Sequence, residues 1–276
     1  MSAAIEAALL CLGRHEPAIL VRIAEVAGST PREAGTAMLV TESAIAGTVG
    51  GGQLEWRAIE VAREMLADER RTLELRLPLG PALAQCCGGY VALSLQRLAP
   101  EDAVALRTDL AAADASLPLV ALFGAGHVGR AVATALSPLP CRLQWIDPRP
   151  DAFPAAASRR TAIAVEADPV AAVAQLPGGV YVLIMTHSHP LDLDLVEAAL
   201  RRDDTAWVGL IGSATKRARF EGQLRARGLG PEAIDRLVCP IGITGIEGKE
   251  PAVIAVAVAA QFMMAFEANA RRGASA

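Results

Sequence analysis

Four apolar residues, Leu119-Val120-Ala121-Leu122, run into Phe123-Gly124-Ala125-Gly126-His127-Val128-Gly129-Arg130, and an alanine-rich stretch follows. A buried strand that feeds a glycine turn and then a helix is the opening of a βαβ unit, which commits the residues after it to a parallel sheet. Gly124, Gly126 and Gly129 stand where such a turn needs a tight bend, a close backbone approach to phosphate, and close helix packing. Asp147 ends the next apolar strand, 18 residues after Gly129, a placement that suits an acid for a ribose hydroxyl. Arg149, two residues further on, offers a phosphate partner instead. Tight packing without any ligand would use the same glycines.

From Leu119 onward, short apolar strands alternate with helical segments, at Leu119–Phe123, Arg142–Ile146, Ala162–Val165, Val180–Met185 and Thr205–Ile211. This is the pattern of a Rossmann-like, doubly wound parallel sheet, and it is assigned to residues 118–276. Residues 1–117 lack that rhythm. They predict a helix at Ser2–Arg14, strands at Ala18–Val26, Thr36–Val40 and Ala44–Val49, a helix at Gln53–Arg70, strands at Thr72–Leu77 and Tyr90–Leu98, and a short helix before Ser116-Leu117-Pro118. The chain is therefore expected to be α/β in its second half, preceded by a smaller mixed α+β domain.

Its 276 residues are 53% apolar and carry a net charge of −4, which disfavours disorder and a broad nucleic-acid surface. No basic stretch with a long apolar core opens the sequence, so a cytoplasmic location is expected. The apolar stretch Ala252–Phe266 falls short of the roughly 20 residues of a bilayer helix and predicts a buried terminal helix, with no membrane partner. Five cysteines without paired spacing give neither a disulfide framework nor a CxxC zinc site.

Several side chains bear on chemistry. A second glycine segment, Gly50-Gly51-Gly52-Gln53, bares backbone amides in the first half. With the turn at Gly124, it points to a polyanionic small molecule as ligand. His127 lies inside the glycine turn, as a donor or proton carrier beside a ligand or as a helix cap facing water. His187 and His189 follow an apolar strand at the edge where open α/β sheets bind ligands. Followed by Asp192, they invite a metallohydrolase reading, but the other histidines are His15 and His127, too few for a dinuclear imidazole cage. Ser213 or Thr215 can cap the helix after Ile211. Lys216 then falls in the first turn, where the helix dipole disfavours a cation unless an anion is held there. Cys86 and Cys87, beside Gly88 and Gly89, are loop thiols suited to a soft metal or to sulfur transfer.

Taken in order, Gly28-Ser29-Thr30-Pro31-Arg32-Glu33-Ala34-Gly35, Gly50-Gly51-Gly52-Gln53-Leu54-Glu55, Gln85-Cys86-Cys87-Gly88-Gly89 and Gly124-Ala125-Gly126-His127-Val128-Gly129-Arg130-Ala131 resemble the XdhC/CoxI family of xanthine dehydrogenase accessory proteins. Thr186-His187-Ser188-His189, Leu210-Ile211-Gly212-Ser213 and Pro240-Ile241-Gly242-Ile243 fit as well. The resemblance implies a chaperone, not a classical dehydrogenase: a protein that binds the molybdenum cofactor (molybdopterin), protects it, supports its sulfuration with a cysteine desulfurase, and delivers it to xanthine dehydrogenase apo-enzyme. It implies that amides at Gly124–Gly129 and the cation Lys216 hold the phosphate, and that the Gly50–Gln53 loop and Cys87 face pterin or metal. A homo-oligomer is expected. The alternative is an NAD(P)-dependent oxidoreductase that uses Asp147 and the glycine turn, with a histidine as acid or base.

Overall fold

The computed structural model describes residues 2–28, 30, 32–68, 70–78 and 89–273. They form two compact units, Met1–Ala115 and Ser116–Ala276.

The first unit is a five-stranded antiparallel sheet between helices. Its strands are β1 (Ile19–Ala27), β2 (Ala37–Val40), β3 (Ile45–Gly47), β4 (Thr72–Pro78) and β5 (Tyr90–Arg97), in the order β3-β2-β1-β5-β4. Helices α1 (Ser2–Gly13), α2 (Gly52–Ala67) and α3 (Asp102–Ala115) complete it. The period of two along β1 divides the core. Ile19, Val21 and Ile23 pack with Leu54, Ala58 and Met65 of α2, whereas Leu20 packs with Ile5 and Ala8 of α1 and Leu106 and Leu110 of α3. Two boundaries are tighter than periodicity predicts. β3 stops at Gly47, whose φ is +83°, and α2 stops at Ala67 because Asp68 turns extended and accepts the Arg70 amide at 2.9 Å.

The second unit is the Rossmann-like one. Six parallel strands, β6 (Leu119–Phe123), β7 (Arg142–Asp147), β8 (Thr161–Val165), β9 (Tyr181–Ile184), β10 (Trp207–Leu210) and β11 (Leu237–Val238), run in the order β11-β10-β9-β6-β7-β8. β11 has two residues, too short for any sequence periodicity to reveal. The helices are α4 (His127–Leu136), α5 (Pro169–Gln175), α6 (His189–Arg201), α7 (Ala214–Ala226), α8 (Pro231–Asp235) and α9 (Pro251–Gly273). Val120 and Leu122 join Val132 and Leu136 of α4 and Val258 and Phe262 of α9, while Ala121 and Phe123 face Leu195 and Val196 of α6 and Phe220 of α7. Both faces of the sheet are thus covered at β6, which is why that strand reads as a continuous apolar run, whereas edge strand β8 leaves Ile163 and Val165 exposed.

The order reverses at β6, which has β7 on one side and β9 on the other. That places the crevice of a doubly wound sheet beyond the carboxyl ends of β6 and β9.

Helix α9 is long and apolar enough to cross a bilayer by length and composition. It is only partly the buried helix expected. Ala255, Val258, Ala259 and Phe262, at helical spacing, are buried against the sheet and α4, while Val256 and Met264 face outward.

Candidate functional site at the carboxyl edge of the parallel sheet

Glycine chemistry shapes the loop after β6. Gly124 has φ +111°, and a Cβ on it would overlap the carbonyl of Met185 and lie 3.1 Å from Cα of Thr186. The turn after β6 therefore lies directly against the end of β9. A Cβ on Gly129 would overlap the carbonyl oxygen of Gly124, which also accepts the Trp145 indole N–H at 3.0 Å. Gly126 differs from both: it has nothing within 4 Å and an unstrained φ of −73°. It is the residue before α4, and no side chain caps that helix. α5, α6 and α7 are capped by Asp168, Ser188 and Ser213. The first amides of α4, with exposed His127 among them, thus open on free space with the positive end of the dipole behind them.

Asp147 is not arranged as a ribose acceptor. Its side chain is 2% exposed and lies beneath the turn. Oδ2 accepts the Ala125 amide at 2.8 Å and Arg149 Nη2 at 2.9 Å; Oδ1 accepts the Arg149 amide at 3.0 Å and Arg149 Nε at 2.9 Å. Burial alone would push this carboxyl up. The Arg149 side chain and the two amides outweigh it and hold the group below the ordinary carboxylate range. Asp147 braces the glycine turn and orients Arg149.

Beside the turn, a cleft of about 340 Å³ is lined by Thr186, His187, His189, Asp192, Ile211, Gly212, Ser213 and Lys216. Its polar floor is an ion pair. Asp192, 1% exposed, accepts the Thr186 amide at 3.0 Å and the Thr186 hydroxyl at 2.7 Å, and Lys216 Nζ lies 2.7 Å from its other oxygen. The same ammonium donates to the Ile211 carbonyl at 2.9 Å and sits 5.3 Å from the ring centroid of Phe220. A cation in the first turn of α7 implied an anion nearby, and that anion is Asp192 of the chain itself. Lys216, with its side chain only 10% exposed, is therefore committed to the floor and not free to grip a phosphate. Ser213 is likewise engaged, accepting the Lys216 amide at 3.2 Å as the cap of α7. His187 and His189 are exposed on the cleft rim.

Among the described residues, no group of three histidines, cysteines or carboxylates could hold a metal. Cys239 approaches the same floor: a Cβ on Gly212 would lie 2.7 Å from Cδ of Lys216 and 3.2 Å from Cys239 Sγ. Burial pushes this thiol up, against the opposing pull of Lys216 and Arg217.

The first glycine loop carries its own anion. Gly50, Gly51 and Gly52 all have positive φ, and Glu55 Oε2 accepts the Val49 amide at 3.1 Å, the Gly51 amide at 3.3 Å and the Thr48 hydroxyl. Amides that the sequence offers to a ligand are here partly satisfied by a glutamate one turn into α2, while Gln53 is exposed. Cys86 and Cys87 lie outside the described residues.

The comparisons with known proteins cover both units. A model described as the XdhC Rossmann domain matches residues 120–262, and one described as the XdhC and CoxI family matches residues 11–76. The chain belongs to the XdhC family. Among its relatives is the Escherichia coli (strain K12) protein YqeB, 28% identical over 255 residues; these are 90% of the present chain but 43% of YqeB, so this XdhC-family chain spans less than half of that relative. A crystal structure titled as a xanthine dehydrogenase from Bacillus halodurans shares the fold, with a TM-score of 0.73 at 20% identity and coverage of 96% of each chain.

Proposed function

We propose that this chain is an accessory protein that holds the molybdenum cofactor as cargo, protects it, supports its sulfuration by a cysteine desulfurase, and delivers it to xanthine dehydrogenase apo-enzyme in the cytoplasm, as a homo-oligomer. The observation that carries this reading is the family match in both units, residues 11–76 and 120–262. The site agrees with it. A phosphorylated pterin needs a dipole-backed row of amides for its phosphate, and the uncapped start of α4, from Gly126 to Val128, supplies one at the reversal of strand order. His187 and His189 on the neighbouring rim would donate to the pterin, and Cys87, with Cys86 beside it, would supply the sulfur ligand or relay. Molybdenum brings the soft, thiophilic centre; the chain contributes binding, orientation and shielding.

The NAD+ form of the nicotinamide reading is weakened by Asp147, whose carboxylate is already used by the turn and by Arg149. The test is retention. Purified protein is incubated separately with molybdopterin, NAD+ and NADP+, then desalted. The proposal expects molybdopterin to stay in near-stoichiometric amount and Cys87→Ser to lower its retention or sulfuration without unfolding. Retention of a nicotinamide dinucleotide with loss of molybdopterin would reverse the conclusion.

A further inference from the structure

A carboxylate offers about four lone-pair positions. Asp147 has all of them filled, by the Ala125 amide, the Arg149 amide, and Arg149 Nε and Nη2. A vicinal diol could bind it only by expelling one of these donors, and the carboxylate is too buried for water to replace the loss. The guanidinium is the reverse case. Its inner edge lies against Asp147, its side chain is 48% exposed, and no group among the described residues takes Nη1. Because Nη2 and the Ala125 amide donate to the same oxygen, this half-exposed cation is held at the glycine turn and next to the open start of α4. What the chain presents at the end of β7 is a fixed cation where a ribose-binding sheet would present a free anion.

We propose that Asp147 and Arg149 form an anion reader, in which Asp147 is the positioning residue and Arg149 the specificity-determining one. It makes this edge select a ligand that places a phosphate beside the turn over one that places a neutral diol there. The inference rests on the reading that the carboxyl edge of the second sheet is the ligand site, and it narrows that ligand to one whose phosphate is met by Arg149 as well as by α4.

The matched probes are adenosine and adenosine 2′-phosphate, which differ at one ribose position. Each is titrated at millimolar concentration into the full-length 15N-labelled protein while the Arg149 Nε–H signal and the Ala125 and Arg149 amides are followed. The phosphorylated probe should move these signals with an apparent affinity at least about tenfold above that of adenosine. Arg149→Met should erase the difference, whereas inorganic phosphate should still shift the amides of Gly126–Val128. Asp147→Asn should keep part of the preference, since an amide oxygen still accepts from the guanidinium. Equal response to both probes, no response to either, or an undiminished preference in Arg149→Met would overturn the proposal. A preference for phosphate in a protein that fails to retain molybdopterin would leave this inference standing and remove only the cargo assigned above.

Discussion

Lys216→Met isolates the ion pair under the cleft. In the native protein, Asp192 and Lys216 are 2.7 Å apart, with side-chain exposures of 1% and 10%, so removal of the ammonium leaves a buried carboxylate without its countercharge. Breaking one side of a buried pair costs about 3–5 kcal/mol. Here Thr186 still donates to Asp192 through its amide and hydroxyl, so the lower end, about 3 kcal/mol, is expected. For a unit the size of Ser116–Ala276, each kcal/mol shifts the midpoint by about 2–4 °C, giving a fall of about 6–12 °C. Fluorescence reports it in a Trp56→Phe background, where Trp145 and Trp207, both in the second unit, are the remaining tryptophans. Adding Asp192→Asn to Lys216→Met keeps an acceptor for Thr186 without the charge and should restore most of the loss. A change below about 1 kcal/mol, the value of an exposed pair, would refute the reasoning and return Lys216 to the pool of free cations available to a ligand.

The two turn glycines should separate cleanly. Gly129→Ala forces a Cβ into the Gly124 carbonyl and should cost about 3 kcal/mol or more, whereas Gly126→Ala meets open space and should stay within about 1 kcal/mol; thermal melts compare them, and equal effects would contradict the packing argument. Asp147 titrates below the ordinary carboxylate range when folded, so the unfolded chain takes up its proton first as pH falls. Its stabilisation is therefore complete above the ordinary carboxylate range and lost progressively as pH drops toward the lowered folded value. Denaturation across that window should show a shallower acid slope in Asp147→Asn, and an unchanged slope would count against the bracing role. Glu55→Ala strips the first glycine loop of its internal anion and should cost the N-terminal unit about 1–3 kcal/mol by denaturant titration; no loss would mean that the loop amides are satisfied otherwise.

The second unit was largely legible because its information is local. Continuous apolar strands, a glycine turn at fixed offsets and helical segments between strands all lie within short windows, and the structure returns them as β6 to β10, except that β7 passes to β8 through only the three-residue 3-10 turn Pro150–Ala152 and no α-helix. Gly124 and Gly129 are crowded, as a tight bend and close helix packing require, and Gly126 is open. Electrostatic pairing was not legible, because it is set by approach in space. Asp192 and Lys216 are 24 positions apart and belong to different helices, so nothing local marks the lysine as spent. Arg149 was visible as a phosphate partner, but the grip of its guanidinium on both oxygens of Asp147 follows from side-chain rotation alone. Glu55 carries a faint signal, an acid shortly after a run of glycines whose amides need an acceptor.

The most direct measurement is a crystal structure of the full chain grown with molybdopterin. The account predicts the phosphate within hydrogen-bonding distance of the amides that open α4, with the Arg149 guanidinium turned toward it and the Asp192–Lys216 pair intact below. Molybdopterin seated away from the turn after β6, or a Lys216 ammonium that has left Asp192 for the phosphate, would contradict it.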